Sequence, residues 1–220
     1  MLTRELLSQS LPSLRPADKV FQALQLMNDN HVTHLPITDD KRFIGIISEE
    51  DLLQAVNDNA ELSSLEQSFS DISVKEDEHF LKAVQLAADN ALSVVPVITE
   101  ENELVGSLAY TDLLKYASEF MSLNEPGGLI VLEMESNQYS FNEISKLVET
   151  NDAQITQLNT SNNAETGMMQ VTIRINKPDV ADIVAAFQRY EYTIKYFFGE
   201  ELYTNELRSN YDNLMNYLKI

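Results

Sequence analysis

The stretch "GIISEEDLL" at residues 45–53 returns as "GSLAYTDLL" at 106–114. Both copies keep the glycine, the aspartate and the leucine pair, but Ala109 stands in the second where Ser48 stands in the first. Outward from this turn, "ADKVFQALQLMNDNHVTHLPITDDKRFIGIISEEDLL" lies over "DEHFLKAVQLAADNALSVVPVITEENELVGSLAYTDLL". Ala23 meets Ala83, Asp29-Asn30 meets Asp89-Asn90, Leu35-Pro36 meets Val95-Pro96, and Gly45 meets Gly106, with one extra residue in the second copy's loop. Self-similarity of this length marks a structural repeat.

The pattern predicts helix, strand, turn, strand, helix in each copy. Val20, Phe21, Leu24 and Met27 recur at near-helical spacing up to Asn30. "VTHLPI" is short and apolar, and Pro36 points to an edge or irregular strand. "FIGII" is β-branched and ends at Ser48, and acids crowd the next helical turn, where the helix dipole favours them. After the second copy, "SLNEPGGL" breaks the rhythm with Pro126, Gly127 and Gly128. Beyond it the chain reads strand, helix, strand, strand, helix, strand, the βαββαβ order of a ferredoxin-like sheet with its helices on one face. Leu207, Tyr211, Leu214 and Leu218 give the tail an amphipathic helical face. The expected class is α/β (α+β), divided as 1–60 and 61–123 for the repeats, 124–128 as linker, 129–199 for the βαββαβ domain, and 200–220 for the tail helix.

With 35 acids against 15 bases the formal net charge is −20, which repels nucleic acid and anionic lipid surfaces. No cysteine is present, so disulfides and thiolate metal sites are excluded, in keeping with a reducing, cytoplasmic location. No apolar run is long enough to span a membrane, and the N-terminal residues lack the unbroken apolar stretch of a signal peptide. No Walker lysine motif, GxGxxG or Ser-His-Asp order stands out, and the expectation is a protein without catalytic residues.

The chemistry concentrates at the repeated turn. Asp51 can accept from two vicinal hydroxyls at once, and Ser48 sits at a strand-to-helix turn where backbone N–H groups favour a phosphate. Ser-x-x-Asp is also close to a helix capping box, worth about 1 kcal/mol with no ligand involved, and the two roles are compatible. In the second copy Asp112 lacks its hydroxyl partner, so a phosphate loses a donor there, and Tyr110 or Thr111 is expected to take over capping. His31 and His34, ahead of Asp39 and Asp40, could suggest a metal, but three residues apart on an extended segment they face opposite ways, and no metal site is assigned. The run "YEYTIKYFF" at 190–198 reads as a packed strand.

The doubled unit, with "HLPI" at 34–37, "VVPV" at 94–97 and the two glycine-to-aspartate turns, resembles a tandem pair of CBS domains. The βαββαβ unit resembles an ACT domain, and the order of the three is similar to the bacterial acetoin-utilisation protein family. The resemblance implies an adenosine-type ligand between paired units: AMP, ADP, ATP or S-adenosylmethionine. It implies that Asp51 and Asp112 hold ribose, that Ser48 contacts ribose or phosphate, and that the adenine slot is lined by Val32, Thr33 and His34 in the first copy and Leu92, Ser93 and Val94 in the second. Glu49 and Glu50 beside Ser48 favour few ligand charges, hence AMP or the cationic S-adenosylmethionine. ACT domains bind amino acids at a glycine-bearing loop after the first strand, whereas here "SNQYSF" carries no glycine, which favours association through the sheet. The expectation is a homodimeric regulator paired through the CBS and ACT-like parts, with a protein partner; the alternative is a ligand-free assembly module.

Overall fold

The computed structural model describes residues 1–199 except 9, 10, 56 and 165, so the tail helix expected at 200–220 lies outside the described residues. The chain divides into two compact units, Met1–Ser118 and the chain from Glu119 onward.

In the first repeat, helix α1 (Val20–Asp29) turns Val20, Ala23 and Met27 to the core along one face. The Asn30 amide closes the helix by donating to the Leu26 carbonyl at 2.8 Å, and His31 reverses the chain with φ of 55°. Strands β1 (His34–Asp39) and β2 (Arg42–Ser48) pair antiparallel and lead into the short helix α2 (Glu49–Leu53). The second repeat contains strand β3 (Val74–Lys75), helix α3 (Phe80–Asp89), strands β4 (Val94–Ile98) and β5 (Leu104–Ala109), and helix α4 (Tyr110–Phe120). Asn90 closes α3 on the Leu86 carbonyl at 3.0 Å, and Ala91 follows with φ of 52°. Even the bulges coincide, between Ile37 and Thr38 and between Val97 and Ile98.

Each repeat has a lead segment that the sequence pattern did not show. Leu14 runs parallel to Ile37, donating to the Pro36 carbonyl and accepting from Thr38 N–H, both at 2.8 Å. In the second repeat β3 takes that place, and the sheet order is β3-β4-β5. The proline-bearing strands are therefore flanked on both sides rather than at an edge. Pro36 is tolerated there because the lead segment uses its carbonyl and takes its N–H from Thr38.

Packing order does not follow chain order. The core around Leu14, Val20, Leu35 and Ile47 also takes Leu62 and Val94, and the core around Phe80, Val95 and Leu108 also takes Leu6 and Ile46. The N-terminal segment is laid on the second repeat: Thr3 N–H donates to the Glu78 carbonyl at 3.0 Å, Arg4 N–H to Glu76 at 3.1 Å and Ser8 N–H to Ser107 at 2.9 Å. The connection between repeats is laid on the first, with Ile46 and Ser70 exchanging backbone bonds of 2.9 and 3.0 Å. The two strand glycines lie at these crossings. A Cβ on Gly45 would come within 2.9 Å of Phe69 Cβ and 3.2 Å of the Ser70 carbonyl; one on Gly106 would meet Leu7 Cδ1 at 3.1 Å.

The second unit is one antiparallel sheet of order β7-β8-β6-β9, built from β6 (Gly128–Met134), β7 (Ile155–Asn162), β8 (Met169–Ile175) and β9 (Thr193–Phe198). Helix α5 (Phe141–Glu149) joins β6 to β7, and α6 (Ala181–Arg189) joins β8 to β9. This is the βαββαβ arrangement expected. Ile130, Leu132, Val171, Ile173 and Ile175 alternate onto the face packed by Ile144, Val148, Ile183 and Phe187. The strand at 193–198 is not packed as its aromatic composition implied: β9 lies at the sheet edge, with Tyr196, Phe197 and Phe198 exposed by 46%, 49% and 65%.

Candidate functional site

Strand β2 ends at Ser48, whose extended backbone (φ −93°, ψ 157°) starts α2. Its hydroxyl accepts from Asp51 N–H at 3.0 Å and donates to Asp51 Oδ2, and Ser48 N–H reaches the same oxygen at 3.4 Å. The capping geometry is thus realised, and it is compatible with ligand contact, because both bonds to the carboxylate use Oδ2 and leave Oδ1 outside the box.

Register puts His34 opposite Ser48. The His34 ring touches the second repeat: Nδ1 lies 3.3 Å from Ser93 N, 3.2 Å from Ser93 Oγ and 3.1 Å from Thr33 Oγ1. A backbone N–H only donates, so Nδ1 accepts and the neutral ring carries its proton on Nε2. Burial holds the imidazole below its usual pKa, and the Asp51 charge offsets part of that effect. Thr33 N–H donates to Ser93 Oγ at 2.9 Å, which completes a seam between repeats.

Of the residues expected at the adenine slot, Thr33, His34 and Ser93 meet in this seam, whereas Val32, Leu92 and Val94 are buried in the cores. Leu92 and Ser93 also line an open groove of about 440 Å³ between α3 and α4, with Ala88, Tyr110, Leu113 and Ala117 on its walls. His31 is not on an extended segment: its positive φ places it in the turn between α1 and β1. Among the described residues, no group of three or more His, Asp or Glu side chains could hold a metal ion.

At the second turn, Asp112 also receives a hydroxyl. Ser8 Oγ donates to Asp112 Oδ2 and accepts from Ala109 N–H at 2.8 Å. The hydroxyl partner that Asp112 was expected to lack therefore comes from the N-terminal segment. No local sequence signal points to Ser8, because 104 residues separate it from Asp112.

The second unit has its own concavity of about 560 Å³, bounded by Glu133, Gln138, Glu143, Lys146, Tyr190 and Tyr192. The Tyr192 hydroxyl donates to Glu143 at 3.1 Å; burial, that hydrogen bond and the Glu143 charge push the phenol above its usual range. The loop after β6, where ACT domains carry a glycine, is here a 3-10 turn at Ser136–Gln138.

Residues 4–58 and 69–119 match the model of the CBS domain. The first unit is a tandem CBS pair. Among curated proteins, the inosine-5'-monophosphate dehydrogenase of Methanocaldococcus jannaschii is 23% identical over 146 residues, 66% of this chain and 29% of that protein. A mitochondrial CBS domain-containing protein of Arabidopsis thaliana is 44% identical over 46 residues, 21% of this chain and 22% of the relative. The chain thus spans less than a third of the length of either relative. Among solved structures, a CBS domain pair/ACT domain protein of Thermotoga maritima is 23% identical with a TM-score of 0.49, over 54% of this chain and 98% of that one. An acetoin utilization protein described as putative, from Vibrio cholerae, has 20% identity and a TM-score of 0.48, over 56% and 95% of the two chains. A Pyrobaculum aerophilum CBS domain protein complexed with AMP has 24% identity and a TM-score of 0.46, over 54% and 99%.

Proposed function

We propose that the CBS pair is a regulatory sensor of an adenosine-type ligand, with Asp51 on the ribose and Ser48 beside ribose or phosphate. The observation that carries this reading is the Ser48–Asp51 pair at the end of β2, with the carboxylate's Oδ1 outside the capping box and His34 across the strand pair. A carboxylate oxygen so placed can accept from a ribose hydroxyl. Glu49 and Glu50 surround it, and Lys19 is taken by Glu61 at 3.0 Å, so AMP or S-adenosylmethionine suits this turn better than ATP. The location is cytoplasmic in this reading, and neither nucleic acid nor a membrane is a partner; no helix of the described residues is long and apolar enough to cross a membrane.

The regulator works as a homodimer in this reading. Leu53 on α2 and Leu114 on α4 hold matching positions in the repeats and are exposed by 69% and 64%, which supports pairing through the CBS faces. The aromatic edge strand β9 supports a second contact through the ACT-like domain at 129–199, with domains divided as 1–60, 61–123 and 129–199. Ligand shifts the arrangement of the dimer, and the ACT-like domain reports the shift to a protein partner. A ligand acts in this way only through different affinities for two arrangements.

A ligand-free assembly module is the second reading, favoured by one observation: Thr33, His34 and Ser93 use polar atoms on one another in the seam. Thermal unfolding of the wild type and Asp51→Ala with AMP, ADP, ATP, S-adenosylmethionine and NADH separates the two. A true ligand at 100 times its Kd adds about 2.7 kcal/mol. A wild type that responds to none of these compounds refutes the sensor, and an equal response by Asp51→Ala moves the site elsewhere.

A further inference from the structure

We infer that residues 200–220 cover the helix-free face of the sheet in the second unit, laying Leu207, Tyr211, Leu214 and Leu218 on an apolar strip over β6 and β9.

Both α5 and α6 pack on one face of this sheet, against Ile130, Leu132, Val171 and Ile173. Antiparallel partners share a face, so Leu129 with Phe198 and Val131 with Tyr196 lie on the other. That second face is divided. Over β7 and β8 it is polar, pairing Asn159 with Thr172 and Ser161 with Gln170, and Arg174 on the same side donates to the Glu125 carbonyl at 2.6 Å. Over β6 and β9 it is apolar. Val131 is 1% exposed although it stands outside the core packed by the helices, so its burial belongs to this side of the sheet. Tyr196 and Phe198, whose ring centroids lie 5.6 Å apart, are exposed by 46% and 65%. The shielding stops short of the aromatic edge.

A second sheet stacked on this face would bury the polar half without partners, so the strip suits an occupant one helix wide. Two strands measure about 10 Å across, the diameter of a helix with its side chains. The chain itself supplies such an element. Phe198 pairs with Leu129, so the chain leaves β9 at one end of the strip, and residues 200–220 follow directly. At helical spacing Leu207, Tyr211, Leu214 and Leu218 share one side, with Ser209, Asp212, Asn213 and Asn216 opposite. A helix over 207–218 is about 18 Å long, against about 23 Å for the seven residues of β6, and residues 200–206 allow the chain to reverse. The tail meets the rings from the face, so the backbone edge of β9 stays open, while the strip itself is closed to outside partners.

The sequence has no tryptophan and no cysteine, so single reporters can be placed in the full chain. Tyr211→Trp is expected to emit to the blue of free tryptophan and to be quenched by acrylamide several-fold more slowly. Adding Phe198→Glu, at an exposed edge ring, is expected to remove both effects, whereas adding Asn159→Glu, on the polar half of the same face, is expected to change neither. Tyr196→Cys combined with Leu214→Cys is expected to form a disulfide within one chain, running at single-chain mass on a non-reducing gel. A Trp as accessible as the free amino acid, or one that Phe198→Glu does not move, overturns the docking. A disulfide-linked species of twice the mass gives the strip to the tail of another copy and overturns it too.

Discussion

In the first repeat the hydroxyl that meets the aspartate lies three residues before it; in the second it lies 104 residues before it. The first pair can form as soon as its own turn folds. The second forms only when the N-terminal segment has been laid across β5, so it carries the loop-closure cost of a long-range contact. One chemical arrangement is thus local in one half of the pair and dependent on tertiary structure in the other. A perturbation of the N-terminal segment should reach Asp112 and leave Asp51 alone.

The largest expected difference between repeats lies in their lead segments. Leu14→Ala, at a side chain with no exposure, is expected to cost about 3 kcal/mol, and Val74→Ala, its counterpart on β3, about 1 to 2 kcal/mol, read by urea unfolding. Equal losses would mean that the lead segments matter alike despite their unequal side chains. The strand glycines come next. Gly45→Ala drives a methyl against Phe69 Cβ and a backbone carbonyl, which cannot give way cheaply, and is expected to cost about 2 kcal/mol. Gly106→Ala meets only the end of the Leu7 side chain, and less than about 1 kcal/mol is expected in the same assay. Below these, Ser48→Ala and Ser8→Ala should each cost about 1 kcal/mol. Hydrogen exchange separates the two: Ser8→Ala should speed exchange in residues 3–8, and Ser48→Ala should not.

The smallest effect concerns pH. His34 is held below its usual pKa, so the unfolded chain takes up the proton first. Its contribution is complete above about pH 6.5 and is lost as pH falls through the folded value. Stability should therefore decline on acidification in the wild type, and His34→Val, which copies Val94 of the second repeat, should lessen that decline. An unchanged slope would show that the seam does not need a neutral ring.

The repeat, its helices and the βαββαβ order were legible because they rest on periodicity: Val20, Ala23 and Met27 along α1, and Ile130, Leu132 and Met134 along β6. Asp51 with Ser48 was legible because both partners lie in one turn. The lead segments were not, since Leu14 and Val74 pair over one or two residues, too short for any period. Pro36 suggested an edge or irregular strand because a proline removes a donor, but the neighbouring segment draws on its carbonyl instead. The aromatic run 190–198 reads as core by composition, yet three of its rings are exposed along an edge strand. Ser8 was out of reach for a different reason: only the folded chain brings it to Ala109.

The laying of the N-terminal segment on the second repeat has a mechanical side. Tension on the N-terminus is delivered first to the backbone bonds with Glu76, Glu78 and Ser107, so the second repeat bears load before the first although it comes later in the chain. A partner that pulls on that end would free the Glu78 and Glu76 carbonyls before Ser8 leaves Asp112, and the Ser48–Asp51 pair would stay whole.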